Sequence, residues 1–326
     1  MSVLVLSEQG ARLTKRGRSL ILFKNGKKIF MYPLSAVERI ILLGRIEFSS
    51  SLIGLLLREN IEVIFLTVDG RYKGRLCGPT AKNVWIRQKQ YQKTEDIGFR
   101  LQFAKKIVWG KCRNQAQLVF KQIFVKKHPL KERLSRLQKS LQSAGDLYTV
   151  LGLEGSFSAL YFSFFQSLLK FRMGFEKRLK HPPPDPINIL LSLGYVLLFN
   201  NMYGLVEGHG LDPYAGLYHE WSYGHASLVS DLMEEFRAPI VDRLVLNLVN
   251  RQQIKETDFD FDEEKKRLRL NKKGLETFVQ SYRQVILKKR NFKGEQLNYL
   301  QIFERQILQF RRYLVGEKES YETFTT

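Results

Sequence analysis

Short apolar runs separated by turn residues fill the first part of the chain, a pattern typical of β-structure. Two of these runs, residues 19–24 and 27–32, flank Asn25-Gly26. A β-hairpin is predicted there, because Asn and Gly both tolerate the positive φ angles of a type I′ turn. Further strands are predicted over 37–43, 61–66 and 71–77, and a serine-capped helix over 49–60. Together these elements predict a β-sheet-rich, β-sandwich-like domain over residues 1–82.

From residue 83 the apolar positions recur every three or four residues, which is the period of an amphipathic helix. Helices are predicted in the regions of residues 101–108, 130–151, 153–169, 187–206, 227–236, 239–249, 275–289 and 296–314. A charged, alternating stretch at 259–273 predicts a hairpin or a solvated loop. The chain is therefore assigned to the α+β class, with a larger all-α domain over 83–314. Residues 315–326 lack periodicity and are predicted to be a disordered tail.

The net charge of the chain indicates which class of partner it binds. The 53 Lys and Arg residues outnumber the 32 Asp and Glu residues, which gives a formal net charge of +21. Such an excess favours a polyanionic partner, because each phosphate neutralised by a basic side chain releases condensed counterions. It names no chemistry, since a membrane-surface protein has a similar composition.

Two cysteines and two apolar stretches bear on where the protein works. Cys77 and Cys112 are far apart, which argues against disulfides and zinc ribbons and fits a reducing compartment. The apolar run at 1–6 is too short for a signal peptide, and the run at 187–199 is too short to span a bilayer. A cytoplasmic protein with no membrane contact is therefore expected.

The candidate chemistry lies in a loop that contains three of the five histidines. His209, His219 and His225 precede a stretch with Asp231 and Glu234. These two acids are three residues apart and share a helix face, onto which an upstream histidine could fold. Carboxylates with a histidine suit Mg²⁺ or Mn²⁺.

Glu154 is the third candidate ligand, at the edge of an apolar helical stripe and beside small residues. Each member of the set also has a structural explanation. A helical glutamate is ordinarily a surface residue, and a loop histidine near a helix start ordinarily caps it. Spacing alone leaves both interpretations open.

Four motifs resemble, in the same order, those of the CRISPR-associated integrase family that captures new spacers. They are Gly152-Leu153-Glu154-Gly155 with Tyr161-Phe162, the proline-rich start of the helix at 182–195, the segment from Gly210 to His219, and the segment from Ser227 to Asp242. The resemblance implies that Glu154, His219 and Glu234 are catalytic residues and hold Mg²⁺ or Mn²⁺. Asp231 occupies a second acidic position, and whether it binds metal, positions water or holds His219 stays open.

The same resemblance implies the reaction and the partners. A 3′-hydroxyl of a short DNA duplex attacks a phosphodiester at the edge of a CRISPR repeat, and the site also cuts branched or linear DNA. The β-rich domain over 1–82 would form a homodimer, and a small ferredoxin-fold adaptation protein would join it. These activities belong to antiviral defence, with double-stranded and branched DNA as substrates.

Basic residues near these motifs are the candidates for DNA contact. Arg87, Arg172, Arg178 and Lys180 are predicted to contact phosphate, although scattered basic residues often form only a solvated face. Two rival hypotheses remain. A catalytically inactive DNA-binding scaffold would keep the fold without the chemistry, and a membrane-surface protein would show a basic amphipathic helix open to lipid.

Overall fold

The computed structural model describes residues 2–6, 8–66, 72–76, 78, 84–122, 129–179, 183–263 and 266–326. The chain divides into two compact units, Met1–Thr80 and Ala81–Thr326. This division lies close to the one proposed after residue 82. The fold class is confirmed as α+β, with a strand-rich first unit and a mostly helical second unit.

Two four-stranded sheets form the first unit. Its strands are β1 (Ser2–Leu6), β2 (Ala11–Arg16), β3 (Ser19–Lys24), β4 (Lys27–Pro33), β5 (Val37–Leu43), β6 (Ile46–Phe48), β7 (Glu62–Leu66) and β8 (Tyr72–Leu76). One sheet has the order β1-β5-β7-β8 and the other the order β4-β3-β2-β6. The sequence pattern had not indicated β1, β2 or β6. β1 and β6 pair in parallel with strands that are distant in sequence, β5 and β2, so no local turn marks them. β2 forms an antiparallel hairpin with β3, and its residues alternate with charged side chains that hide the apolar pattern.

The hairpin predicted at Asn25-Gly26 is present, with Lys24 paired to Lys27 and φ angles of 50° and 74° at the two turn residues. Helix α1 (Ser50–Arg58) begins after Ser49, whose hydroxyl accepts a hydrogen bond from the Leu52 amide. Apolar residues of both sheets and of α1 share one buried core, which includes Leu13, Ile40 and Leu52. Apolar faces closing on each other in this way are what a sandwich-like unit requires.

Long helices dominate the second unit. They are α2 (Val84–Glu95), α3 (Ile97–Phe120), α4 (Pro129–Ser143), α5 (Leu147–Leu168), α6 (Pro186–Gly208), α7 (Ser227–Phe236), α8 (Arg243–Asn250), α9 (Lys272–Leu287) and α10 (Tyr299–Leu314). Two small hairpins accompany them, β9 (Phe259–Asp262) with β10 (Arg267–Leu270), and β11 (Arg290–Phe292) with β12 (Glu295–Leu297). The second unit is thus mostly helical, and its first hairpin lies in the charged, alternating stretch 259–273, where a hairpin or a solvated loop was predicted.

Local chemistry explains two differences from the predicted helices. The helix predicted over 130–151 stops at Ser143, because Asp146 caps a new helix by accepting a hydrogen bond of 2.8 Å from the Thr149 amide. Between α7 and α8 the chain does not break at Pro239. It passes through a π-helical segment, Arg237–Asp242, in which the wider turn accommodates a residue without an amide proton.

Helix α6 has the length and apolar composition of a membrane span, but 56% of its most apolar window is buried inside the unit. Gly194 lets this helix approach the π-helical segment closely, since a β-carbon there would lie 2.4 Å from Val241 Cγ1. Buried Asn188 and Asn201 also make hydrogen bonds within the unit. These contacts are those of a core helix.

The C-terminal segment 315–326 is packed, which contradicts the predicted disordered tail. Tyr321 and Phe324 are buried, and Phe324 stacks on Phe236 with ring centroids 4.7 Å apart. The buried carboxylate of Glu235 accepts hydrogen bonds from the Tyr321 hydroxyl at 2.8 Å and from the Phe324 amide at 2.7 Å. Two aromatic anchors and one carboxylate hold the segment without any helical periodicity. Burial raises the pKa of Glu235 to about 7.

Phe324→Ala is expected to lower the free energy of unfolding by about 3–5 kcal/mol, because it removes a buried ring and leaves a cavity. Chemical denaturation with far-UV circular dichroism measures this. Glu319→Ala, in the exposed part of the same segment, serves as the control and should lie near the wild type. Equal stability of the two variants would show that the segment is not docked.

Candidate active site

Glu154 lies on the buried face of α5 and is only 7% exposed. Val150 precedes it by four residues and Phe157 follows it by three, and both are buried on that face. The carboxylate is therefore held inside the unit and is not the solvated side chain that an isolated helical glutamate usually is.

Glu234 is the second buried carboxylate, on α7, where every residue from Ser227 to Phe236 is buried. Its neighbour Glu235 serves a different purpose. Glu235 binds the C-terminal segment, whereas Glu234 contacts Lys111 of α3 and Arg237 of the π-helical segment. Adjacent glutamates thus have separate partners.

Asp231 fixes the position of His219, which lies in the loop between α6 and α7. Asp231 Oδ1 accepts hydrogen bonds from the His219 amide at 2.9 Å and contacts His219 Nδ1 at 2.7 Å. Its Oδ2 accepts from the amides of Leu217 at 2.8 Å and Tyr218 at 3.0 Å. Both oxygens of this fully buried carboxylate are occupied. Asp231 therefore orients His219, and the geometry argues against the metal-ligand role left open for it.

The opposite ring nitrogen of His219 faces the carboxylates. His219 Nε2 lies 3.8 Å from Glu234 Oε1. Burial alone would lower the pKa of His219, but the hydrogen bond to the Asp231 carboxylate and the negative charges of Asp231, Glu234 and Glu154 raise it overall. With Nδ1 committed to Asp231, Nε2 is the nitrogen free to act as a ligand.

Lys111 is the main residue of the cluster that the sequence did not indicate. Its ammonium group contacts Glu154 Oε1 and lies 2.7 Å from Glu234 Oε2. The Tyr218 hydroxyl donates to Glu154 Oε2, and Arg237 Nη2 lies 2.8 Å from Glu234 Oε1. Burial would raise the pKa of Glu234, but the charges of Arg237 and Lys111 lower it, so this carboxylate is ionised. Two buried carboxylates converge on one buried cation.

The chemical types of these donors suit a divalent ion, whereas their positions are those of an ion pair. Among the described residues, no group of three or more His, Cys, Asp or Glu side chains is arranged to hold a metal ion. The Lys111 ammonium contacts both carboxylates. Glu234 Oε2 is buried, and its contact with the Lys111 ammonium lacks the geometry of a hydrogen bond. Two carboxylate oxygens and one imidazole nitrogen are donors that Mn²⁺ and Mg²⁺ accept.

A network of aromatic and charged groups extends from Glu234. The guanidinium groups of Arg237 and Arg178 lie over the Tyr195 ring, 4.7 Å and 5.3 Å from its centroid. The hydroxyls of Tyr195 and Tyr161 donate to the buried Asp242 at 2.6 Å and 2.7 Å. This network holds Arg237 in place beside Glu234.

The predicted DNA-contacting residues differ in their surroundings. Arg172 is exposed in the loop after α5, and Arg87 is partly exposed on α2. Arg178 instead binds Asn188 Oδ1 at 2.8 Å and Ser192 Oγ at 3.0 Å, so its guanidinium joins the loop to α6 and is not presented to a phosphate. Lys180 lies outside the described residues.

Exposed aromatic residues lie in the loop that carries His219, and the sequence analysis did not identify them. Tyr223 is fully exposed and Trp221 is 58% exposed. The Trp221 indole donates to the Gly216 carbonyl at 3.0 Å, which fixes one edge of the ring and leaves its face open. A fixed, open aromatic face is a surface on which an unpaired base can stack.

Asp231→Asn is expected to weaken Mn²⁺ binding by about 10–100-fold, because the amide no longer orients His219 with the same hydrogen bonds. In Asp231→Asn the side-chain NH₂ group replaces an oxygen that accepts hydrogen bonds from backbone amides. These amides lose their acceptor, so we expect the unfolding free energy to fall by about 2–3 kcal/mol. Electron paramagnetic resonance of Mn²⁺ measures the first effect and denaturation the second. Glu220→Gln, exposed in the same loop, is the control. Unchanged Mn²⁺ affinity in Asp231→Asn would contradict the orienting role.

Comparison with known proteins places the chain in a family. The family model for "CRISPR associated protein Cas1" matches residues 4–284. The chain is 32% identical over 327 residues to a CRISPR-associated endonuclease Cas1 of Thermodesulfovibrio yellowstonii, an alignment covering 97% of this chain and 100% of the relative.

Solved structures show the same fold. A Cas1 protein from Thermotoga maritima superposes with a TM-score of 0.84 at 26% identity, covering 99% of this chain and 100% of the other. A chain of a Cas6-RT-Cas1–Cas2 complex superposes with a TM-score of 0.83 at 28% identity, covering 99% of this chain and 36% of that longer chain.

Proposed function

The chain belongs to the CRISPR-associated Cas1 family, and from that premise we propose that it is a divalent-metal-dependent DNA endonuclease and integrase. The observation that carries the proposal is the convergence of Glu154 and Glu234 on one buried cation beside His219 Nε2. A purely structural ion pair would not need a histidine that makes two hydrogen-bonding contacts to Asp231 while the same carboxylate binds the two preceding backbone amides.

Glu154, His219 and Glu234 would hold the Mg²⁺ or Mn²⁺ ion. When bound, the ion supplies Lewis acidity toward a phosphoryl oxygen. Asp231 keeps the His219 imidazole in the orientation that presents Nε2, and Tyr218 orients Glu154. Lys111 and Arg237 add two positive charges next to the carboxylates, where a phosphodiester also brings negative charge.

The proposed reaction is transesterification. A 3′-hydroxyl oxygen of a DNA end forms a new bond to phosphorus while the bond from phosphorus to the leaving 3′-oxygen breaks. The attacking hydroxyl loses a proton and the leaving oxygen gains one, so the number of phosphodiesters is unchanged and no energy source is needed. With water in place of the hydroxyl, the same site would cut branched or linear DNA.

DNA would approach across basic and aromatic surface near the site. The net charge of +21 provides the general attraction, and Arg172 and Arg87 are exposed or partly exposed basic side chains of the second unit. Trp221 and Tyr223 offer stacking surfaces beside His219 for an unpaired base. Arg178 is not among the proposed phosphate contacts, because its guanidinium is bonded to Asn188 and Ser192.

Partners follow from the family. A chain similar to this one is solved within a Cas6-RT-Cas1–Cas2 complex. We propose that this chain also has a small partner protein, of ferredoxin-like fold. A homodimer through the first unit is also proposed, because that unit presents sheet edges suited to pairing. The buried free thiol of Cys112 is compatible with a cytoplasmic location.

Incubating the purified protein with a short duplex and a plasmid carrying a CRISPR repeat tests the function. We expect joined products in Mn²⁺ or Mg²⁺ and none in EDTA. A His219→Ala protein should bind the same DNA without joining it. If neither metal supports cutting or joining, the protein is the inactive DNA-binding scaffold.

A further inference from the structure

The second unit contains a cavity with a basic lining, in addition to the candidate active site. This cavity, of about 490 Å³, is bordered by the end of α3, the start of α8, the β11–β12 hairpin and the C-terminal segment. Its basic lining residues are Lys121, Arg243, Arg290 and Lys293. No lining side chain is acidic, and the remainder are aromatic, amide or hydroxyl groups.

Arg290 is held rigidly at this cavity. Its guanidinium lies over the Tyr299 ring, 3.5 Å from the centroid, and Nη2 donates to the Val285 carbonyl at 2.8 Å. Its Nε is buried and has no hydrogen-bond partner among the described residues. The Arg290 side chain is thus held in one position before any ligand binds, and its Nε–H donor has no acceptor among the described residues.

The cations at this cavity are poorly balanced by the protein. Lys293 pairs with Glu322 at 3.0 Å. Within the described part of the chain, Lys121, Arg243 and Arg290 form no ion pair with a carboxylate. Burial lowers the pKa of Arg290, Tyr299 acts against it, and the positive charge of Arg243 adds to the lowering, as expected for two guanidinium groups at one cavity. A bound anion would offset this positive charge.

We propose that this cavity binds a phosphate group, at a place separate from the metal site. Guanidinium groups match phosphate geometry and offer several donors to its oxygens. Lys121, the residue that caps the end of α3, lies ten residues beyond Lys111, which places the two about 15 Å apart along the helix axis. Phe324, which lines the cavity, is bound by Glu235, whereas the metal site is built on Glu234.

Inorganic phosphate is the first probe. In EDTA and at constant ionic strength set with sodium chloride, about 20 mM phosphate is expected to raise the midpoint of thermal unfolding by a few degrees. Calorimetric titration gives the dissociation constant, which should weaken at least about tenfold in Arg243→Gln and not in Lys288→Gln, an exposed basic residue outside the cavity. Arg290→Gln should lose binding too, but it also removes the stacking on Tyr299, so Arg243→Gln is the deciding variant.

Duplex DNA is the second probe and distinguishes a free phosphate from one in a nucleic-acid backbone. If the backbone supplies the phosphate, Arg243→Gln should make the negative slope of log affinity against log salt shallower by about 0.9 relative to the wild type. Binding of inorganic phosphate with an unchanged DNA slope would identify a free phosphate ligand. The proposal is overturned if phosphate stabilises Arg243→Gln as much as the wild type, or if neither probe responds to that substitution.

Neither probe requires catalysis. Failure of the phosphate proposal would leave metal-dependent DNA joining untouched, and loss of joining in a metal-site variant would leave phosphate binding untouched. The two proposals can therefore fail independently.

Discussion

Glu154→Gln and Glu234→Gln should each lower Mn²⁺-dependent DNA joining by at least about a thousandfold, whereas Glu235→Gln should stay within about threefold of the wild type. Loss of a charged ligand removes several kcal/mol of transition-state stabilisation, and each 1.36 kcal/mol corresponds to a factor of ten. Initial rates of strand transfer, measured with saturating DNA and Mn²⁺, give the comparison.

Glu235→Gln is a matched control because it changes the adjacent glutamate, also buried, on the same helix. Glu235 binds Gln306, Tyr321 and the Phe324 amide, so its substitution disturbs the C-terminal segment and not the metal ligands. Glu154→Gln should stay folded, because Lys111 still pairs with Glu234 and the Tyr218 hydroxyl can still donate to the oxygen of the new amide. Equal activities in Glu234→Gln and Glu235→Gln would refute the assignment of Glu234 to the active site.

Lys111→Met is expected to lower the unfolding free energy of the metal-free protein by about 3–5 kcal/mol. Removal of one partner from a buried ion cluster leaves uncompensated buried charge, here on Glu154 and Glu234. Because Mn²⁺ would supply the missing positive charge, it should raise the thermal midpoint of Lys111→Met more than that of the wild type. Differential scanning calorimetry with EDTA and with Mn²⁺ measures both effects.

The double variant Lys111→Met/Glu154→Gln isolates the cause. Removing one carboxylate together with the ammonium should recover much of the lost stability in EDTA, while the added response to Mn²⁺ should disappear. Lys105→Met changes another lysine on α3, one whose ammonium donates to the Gln142 carbonyl, and controls for the loss of a lysine from this helix. A Lys111→Met protein as stable as Lys105→Met in EDTA would contradict the role of Lys111 as counter-charge.

Local signals were sufficient for much of the fold. The Asn25-Gly26 turn, the Ser49 cap and the apolar period of α5 each depend on residues that are neighbours in sequence. The docked C-terminal segment was missed, because its anchors, Tyr321 and Phe324, bind a carboxylate more than eighty residues earlier. Such long-range contacts leave no periodicity in the segment itself.

The candidate site shows the same limit. Motif resemblance indicated Glu154, His219 and Glu234, and the structure brings the three together, but whether they bind metal stays a prediction. Lys111 carried no signal, since a lysine in a helix ordinarily lies on a solvated face. The role of Asp231 could not be chosen from spacing, because it depends on how the His219 loop folds over α7.

Anomalous scattering from a crystal soaked in Mn²⁺ tests the central claim most directly. We predict one strong peak within coordination distance of a Glu154 oxygen, a Glu234 oxygen and His219 Nε2, with the Lys111 ammonium displaced from between the carboxylates. Density at other residues, or a peak coordinated by Asp231 in place of Glu154 or Glu234, would contradict the proposed metal site.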